Sequence, residues 1–276
     1  MDLSLLVPRF PVPFLELLCE QTDWKTVLAL VSVDKREAPM RFFWISERSI
    51  VDIGRLGGGA VARKSALAKL TTAWPRLVLQ QTVKRQGVRI SRLTALTRLV
   101  FDVNAPLKRV PPVEQLVFGD RFNQSLRRLT LPSNLRVVRF GGCFNRDLPV
   151  SWPDTVVELE LGLMFSRELR VLPPRLERLK LGLDFKHRLS NTKLPATLQL
   201  IEFGSEYGEA LGDPFDGVEW PLALRRVILV SKFFDGSLKS FVGLPNLKEI
   251  RLSTAYTALA QEPIPDAIES AVKIMW

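Results

Sequence analysis

LERLKLGLDF, residues 176–185, carries the pattern that decides the fold of this chain. An apolar residue is followed by two variable ones, a second apolar residue, one variable one, a third apolar residue, glycine, and then an aromatic residue three places after the glycine. The same pattern recurs as LRVVRFGGCF at 135–144, VVELELGLMF at 156–165 and LQLIEFGSEY at 198–207. One copy precedes these at 113–122, and two copies without the glycine follow at 224–233 and 247–256. Copies that keep one register indicate a repeat architecture.

The spacing within and between copies predicts the shape of one repeat. The glycine position advances by 20 to 26 residues, which is the length of a leucine-rich repeat. The second and third apolar residues are two apart, so they lie on the same side of a short strand. The glycine suits either a positive φ or a close approach of the next backbone. A proline precedes each strand, where its missing N–H breaks no ladder bond, at positions 111, 132, 153, 173, 195, 221 and 245.

One such repeat cannot bury a core by itself, so the repeats must stack. We therefore predict a repeat solenoid, leucine-rich-repeat-like, with a parallel sheet of short strands and an extended curved face. An all-β sandwich with coincidental spacing is the alternative. With 276 residues, 46% of them apolar, the chain can supply a large core.

The sequence before the repeats divides into two parts. Residues 1–48 predict a small helical unit, in which Phe14, Leu17 and Leu18 have the spacing of one helix face. Residues 49–92 predict a basic connector, flexible around its glycine run at 57–59, with a candidate N-terminal capping rung at the Trp-Pro pair 74–75. The repeats then occupy residues 93–260.

The net charge of +10 lies entirely within residues 35–92, which hold 13 basic and 3 acidic residues. The flanking parts carry −3 (residues 1–34) and +3 (residues 93–276) and cancel each other. Such a segment fits an acidic partner or nucleic acid, or is a solvated surface. Aromatic residues are not interleaved with the charges as a base-stacking platform requires, which favours the solvated surface.

The pattern stops after Tyr256, and a new segment begins at two prolines, Pro263 and Pro265. In the segment 261–276, the apolar residues Ile268, Ala271, Val272 and Met275 have helical spacing. We therefore expect Asp266 to Trp276 to form a helix that caps the last repeat, as solenoids require.

Other features bound the cellular setting. No apolar run approaches the ~20 residues that span a bilayer, and the first residues, MDLSLLVPRFPVPF, lack the pattern of an export signal. The two cysteines, Cys19 and Cys143, lie in different segments and are expected to stay reduced. We expect an intracellular protein, cytoplasmic or nuclear.

Residues that could perform chemistry are few. The single histidine, His187, lies between Lys186 and Arg188, which suits neither a metal site nor a general base. GGAVARKS at 58–65 departs from the phosphate-binding loop because arginine replaces its second glycine. The sequence therefore predicts no catalytic, cofactor-binding or metal-binding residues, and no enzyme.

The exposed strand positions predict a surface for a protein target. Arg139, Glu160, Lys180 and Glu202 occupy one position in successive repeats and alternate in sign, so neighbouring side chains should pair. A face that neutralises itself suits a protein partner of mixed charge better than a phosphate backbone. The predicted target-binding residues are Gln115, Val117, Arg139, Glu158, Glu160, Arg178, Lys180, Glu202, Arg226, Ile228 and Arg251.

The repeats resemble FNIP repeats, named for their Phe-Asn-x-Pro-like core. Phe122-Asn123 and Phe144-Asn145 keep the Phe-Asn pair, whereas later copies have Ser166 and Lys186 in place of asparagine.

Residues 8–48 resemble an F-box, in the order Pro13, Phe14, Leu17, Leu18, then Asp23, then Val27, Leu28, Leu30 and Val31. Together, the two resemblances imply the substrate receptor of a cullin-RING ubiquitin ligase, whose solenoid holds the target. The adaptor subunit of the ligase would then bind Pro13, Phe14, Leu17, Leu18, Val27, Leu28 and Val31. The alternative is a structural or interaction scaffold without a ligase, in which the N-terminal helices only cap the solenoid.

Overall fold

The computed structural model describes residues 50–52, 78–80, 98–101, 104–208, 211, 213–234, 236–256 and 263–275. Within them, eleven strands form one sheet, and their order in the sheet is their order in the chain. All neighbouring strands are parallel. The strands are β1 (Ile50–Asp52), β2 (Val78–Gln80), β3 (Arg98–Phe101), β4 (Gln115–Phe118), β5 (Val137–Arg139), β6 (Glu158–Glu160), β7 (Arg178–Lys180), β8 (Leu200–Glu202), β9 (Arg226–Leu229), β10 (Glu249–Ser253) and β11 (Val272–Met275). The predicted solenoid with a parallel sheet of short strands is confirmed.

Strand residues alternate between the core and an open face. In β6, Leu159 is fully buried, while Glu158 and Glu160 lie on the open face. Leu161, directly after the strand, is buried beside Leu159. The two apolar positions that are two apart therefore point to the same side, as the spacing predicts.

Aromatic rings form a buried column behind the sheet. Phe165 stacks on Phe144 and Phe185, with ring centroids 6.0 and 6.4 Å apart. Phe122 and Tyr207 extend the column at 6.0 and 6.1 Å. Because strands in a sheet are only about 4.8 Å apart, neighbouring repeats are farther apart at this column than at the sheet. The solenoid therefore curves with the sheet on its inner side.

The glycine after the strand is required by the closeness of the preceding repeat. A Cβ added to Gly162 would overlap the carbonyl group of Gly141, and one added to Gly182 would overlap that of Gly162. None of these three glycines has a positive φ. Of the two explanations that the sequence allows, close backbone approach is the one that the structure supports.

Asparagine after the aromatic residue links consecutive repeats. The side-chain oxygen of Asn145 accepts the N–H of Ser166 at 3.2 Å, and that of Asn123 accepts the N–H of Asn145 at 3.1 Å. Asn104 accepts the N–H of Asn123 at 3.1 Å in the same way. Each asparagine thus satisfies a backbone donor that lies outside the sheet ladder. This is the physical role of the Phe-Asn pair.

We expect Asn145→Ala to lower the free energy of unfolding by about 1 to 2 kcal/mol, because the N–H of Ser166 loses its acceptor. Urea unfolding measures the change. Asn134→Ala, at an exposed turn residue, is the matched control and should change stability by less than about 0.5 kcal/mol. Equal losses in the two variants would contradict a role for Asn145 in joining the repeats.

Three strands precede the first copy of the pattern. β3 pairs with β4 over its whole length and places Leu99 and Phe101 in the core. β1 and β2 lie within residues 49–92, where the sequence indicates a connector with one candidate rung. The sheet therefore extends into this segment with two strands. The helical unit predicted for residues 1–48 and the glycine run at 57–59 lie outside the described residues.

In one repeat, the buried aromatic residue is not the one that the sequence pattern predicts. Phe233 is 43% exposed, whereas the next residue, Phe234, is buried and stacks on Tyr256 at 5.6 Å. Ser231 is buried before them, and its Oγ accepts the N–H of Phe233 at 3.1 Å. The longer step to this repeat thus shifts the core aromatic by one residue.

The predicted C-terminal helix is wrong over most of its length. Only Asp266–Glu269 is helical (α1), and Val272–Met275 forms β11, which pairs with β10. Ile268 in α1 and Ala271 are buried against the core. The segment therefore covers the last repeat by adding a strand to its open edge, which leaves fewer backbone groups of β10 unpaired.

Candidate functional site: the inner sheet face

The open face of the sheet presents side chains in two rows. Strand pairing places one residue of each strand beside its counterpart in the next, without a shift of register. The central row runs along the middle of the face and consists of Val117, Arg139, Glu160, Lys180, Glu202, Ile228 and Arg251. Each residue therefore contacts mainly the two that precede and follow it.

The charged part of the central row forms a chain of ion pairs. Arg139 Nε lies 3.2 Å from Glu160 Oε2. Lys180 Nζ lies 3.4 Å from Glu160 Oε1 and 3.3 Å from Glu202 Oε1. The alternating signs predicted from the sequence thus form a ladder across four strands.

Glu158, in the second row, extends this ladder sideways. The second row consists of Gln115, Val137, Glu158, Arg178, Leu200, Arg226 and Glu249. Its carboxylate accepts two hydrogen bonds from Arg139, the shorter at 2.7 Å, and lies 3.5 Å from Arg178. Glu158 and Glu160 therefore share one arginine. Two neighbouring carboxylates could resemble a catalytic acid pair, but the structure supports a charge ladder here. The two rows form one connected network on β5 to β8.

Contacts on this face shift the pKa values of one lysine and one glutamate. Burial acts to lower the pKa of Lys180, but Glu202 and Glu160 outweigh it and raise that pKa. Hydrogen bonds from Arg251 and Lys273 lower the pKa of Glu249 at the other end of the face. The stabilisation from Lys180 is therefore lost only at alkaline pH, and that from Glu249 only as the pH falls through its lowered pKa. Partly exposed pairs contribute about 0.2 to 1 kcal/mol each, so the ladder adds little to the stability of the fold.

The remaining predicted face residues lie on either side of the ladder. Gln115 and Val117 are on β4, and Arg226, Ile228 and Arg251 are on β9 and β10. Ile228 is apolar and lies in register between Glu202 and Arg251, so it interrupts the alternation of charges along the central row. The structure thus brings all eleven predicted residues onto one face, with the ion-pair network in the middle.

Two residues of the same face, Glu249 and Lys273, were not predicted from the sequence. Glu249 contacts both Arg251 and Lys273, at 3.0 and 3.1 Å. The spacing of apolar residues around Lys273 predicts a helix, so it does not place Lys273 on the sheet. Glu249 stands directly before the second apolar residue of its repeat, the same position as Glu158 and Arg178, so spacing alone could have found it.

Two grooves border the ladder. The glycine groove, of about 510 Å³, lies at the carboxyl ends of β5 to β9 above the column Gly141, Gly162, Gly182 and Gly204. Leu163, which is 62% exposed, and Val230 belong to its apolar lining. The basic groove, of about 390 Å³, lies at the amino ends of β7 to β11 and is lined by Arg178, Arg225, Arg226, Lys248 and Lys273 together with Glu177, Glu249, Gln199 and Leu200.

The described residues that were considered for catalysis or metal binding lie in surroundings that indicate structural roles. Within the described ranges, no group of three His, Cys, Asp or Glu side chains could hold a metal ion. His187 is half-buried; its Nε2 lies 3.3 Å from the carbonyl oxygen of Ser166, and its ring packs beside Phe185. The sequence GGAVARKS at 58–65 is outside the described residues. No helix in the part of the chain that the structure describes has the length and apolar character to cross a membrane.

Stacked parallel strands, one per repeat of about 20 residues, make this a solenoid of leucine-rich-repeat type, the architecture of a protein-interaction module. When the sequence is compared with known protein families, the FNIP repeat matches residues 111–143 and 165–206. These two segments contain β4, β5, β7 and β8.

Among solved structures, the chain is similar to that described as "CroV588 a novel circular LRR protein structure", with a TM-score of 0.46 and 20% sequence identity. The match covers 65% of this chain and 30% of that chain. No protein with a curated description matches the sequence.

Proposed function

We propose that this protein is the substrate receptor of a cullin-RING ubiquitin ligase of the F-box type, acting inside the cell. Residues 1–48 would bind the adaptor subunit, and the inner sheet face would hold the target. The observation that carries the target half is the continuous face of parallel strands with a self-neutralised network at its centre. No catalytic step by this chain is required.

Charge pairing favours a protein over a polyanion as the target. Each carboxylate of the central ladder already faces a cation of its own sheet, so a phosphate backbone would gain few free cations there and would meet Glu158, Glu160 and Glu202. A protein surface of mixed charge can exchange partners with the ladder without leaving unpaired charges. The target-binding residues predicted from the sequence remain our proposal for this surface.

The adaptor half is supported by the F-box-like order of residues 13–31. Pro13, Leu17 and Leu18 would supply the apolar surface that a helical adaptor covers. A second function, an interaction scaffold without a ligase, is favoured by a different observation: residues 1–48 directly precede β1, the first strand of the sheet. In that case the same apolar residues would cover the end of the solenoid.

Adaptor binding separates these two functions. We expect the full chain to bind a purified F-box adaptor subunit at micromolar concentration, and Leu17→Asp with Leu18→Asp to weaken binding at least tenfold, because charge enters an apolar interface. Biolayer interferometry measures both.

The matched control places the same two charges elsewhere. Val150→Asp with Leu163→Asp changes residues that are 78% and 62% exposed, and should leave adaptor binding intact. Absence of binding by the unmodified chain would refute the ligase proposal and leave the scaffold.

A further inference from the structure

The inner sheet face is not electrostatically uniform along its length. From β5 to β8 each central charge has an opposite neighbour, whereas the basic groove at β7 to β11 has five basic and two acidic lining residues, a net of +3. Of those two acids, Glu249 is already bound by Arg251 and Lys273. Among the described residues, Glu158 and Glu249 pair with Arg178 and Lys273, and the remaining lining residues keep an excess of positive charge.

Three of its cations are available to a ligand. Arg225, Arg226 and Lys248 are exposed, and none of them has an ion pair with another described residue. Arg226 is paired in register with Leu200 on one side and with Glu249 on the other. The carboxylate of Glu249 contacts Arg251 and Lys273 instead, so Arg226 has no ion pair with it. By contrast, Lys180, two repeats away on β7, lies beside two carboxylates.

We propose that the basic groove binds an extended acidic peptide segment, through two or three carboxylates that contact Arg225, Arg226 and Lys248. This deepens the proposed function, on which it rests, by naming the chemical class of target segment that the face selects. The arginines can bind carboxylates through two parallel hydrogen bonds, which adds specificity to charge attraction.

The groove's dimensions and surroundings favour a peptide over nucleic acid. The free cations span only β9 and β10, about 5 Å of sheet width. The nearest ladder carboxylate, Glu202, is on the adjacent strand β8, and those of Glu158 and Glu160 follow on β6. A polyanion crossing the face would meet those carboxylates. Among the described residues that line the groove, none is an aromatic on which a base could stack.

The test uses a fluorescent ten-residue peptide of alternating glutamate and glycine, with a glutamine-glycine peptide as the neutral probe. Anisotropy with the full chain at low salt should show binding of the acidic probe only. The triple variant Arg225→Gln, Arg226→Gln and Lys248→Gln should bind it about tenfold more weakly, as expected for the loss of three partly exposed charge pairs.

The control variant removes the same charge elsewhere, through Arg127→Gln, Arg170→Gln and Lys193→Gln. Arg127 and Arg170 are 79% and 85% exposed and lie outside the groove. This variant should bind the acidic probe as the unmodified chain does. If the triple groove variant did not fold, Arg226→Gln alone, with an expected loss of about threefold, would replace it.

Several results would overturn the proposal: no binding of the acidic probe, equal binding of the neutral one, equal loss in the control variant, or unchanged binding in the groove variant. Tighter binding of a ten-nucleotide oligothymidine would assign the groove to nucleic acid and equally overturn it. Adaptor binding, which depends on residues 13–31, should be the same in the groove variant. Failure of the peptide proposal is thereby distinguishable from failure of the ligase proposal.

Discussion

Gly162→Ala is expected to lower the free energy of unfolding by about 3 kcal/mol, at the upper end of the cost of overpacking. The added methyl group would overlap the backbone carbonyl of Gly141, which cannot swing aside as a side chain can. Relief of this overlap would require β5 and β6 to separate. Movement of Gly162 in the other direction is restricted too, because Gly182 approaches the carbonyl group of Gly162 in the same way. Chemical denaturation monitored by circular dichroism measures the loss.

Gly142→Ala is the matched control. It lies in a turn of the same kind, one residue beyond Gly141, but its added Cβ would meet only side-chain atoms of Asp120 and Leu163 at 3.6 and 3.8 Å. Neither Gly142 nor Gly162 has a positive φ, so backbone strain does not distinguish them. Because alanine restricts the unfolded chain, Gly142→Ala should be neutral or stabilising by up to about 1 kcal/mol. Similar losses in both variants would show that close approach of the repeats is not what the glycine position serves.

The strands that sequence could predict are those whose repeats keep the three apolar positions of the pattern. β4 to β10 each follow the same apolar spacing, and spacing alone determines which side chains point inward. Register then places Arg139, Glu160, Lys180 and Glu202 side by side, so the charge ladder was predictable as well.

The edges of the sheet were harder to predict because they break the pattern. In the last segment Glu269 stands where the first apolar residue of a repeat would be, three places before Val272. Ile268, Ala271 and Val272 also satisfy helical spacing, so the local signal was ambiguous. The strand forms because the edge of β10 offers hydrogen-bond partners along its whole length, a tertiary effect that local spacing does not contain.

The basic groove was not predictable from spacing for a related reason. Arg225 and Lys248 occupy a position just before the strand, which the apolar pattern leaves variable, and Lys273 comes from a segment assigned to a helix. Their proximity depends on three strands being in register at once. Only the stacked structure shows that the balanced ladder ends at Glu202 and an unbalanced cluster follows.

Phe165→Ala is expected to lower the free energy of unfolding by about 3 to 5 kcal/mol, the cost of truncating a fully buried phenylalanine. Phe165 has no exposed surface and lies between Phe144 and Phe185 in near-parallel stacking, with interplanar angles of 12° and 11°. Collapse of the neighbours into the gap is restricted, because their backbones are held apart by the same turns that fix the glycine contacts. Urea unfolding followed by fluorescence of the buried Trp152 and Trp220 measures the change.

Phe233→Ala provides the matched control for this truncation. Its ring is 43% exposed, and its neighbour Phe234 occupies the core instead, so the same chemical change should cost less than about 1 kcal/mol. The difference in free energy of unfolding between the two variants separates the contribution of the aromatic column from the general loss of apolar surface. A loss below about 1 kcal/mol for Phe165→Ala would mean that the column is not buried, and the assignment of the repeat containing β6 would then be wrong.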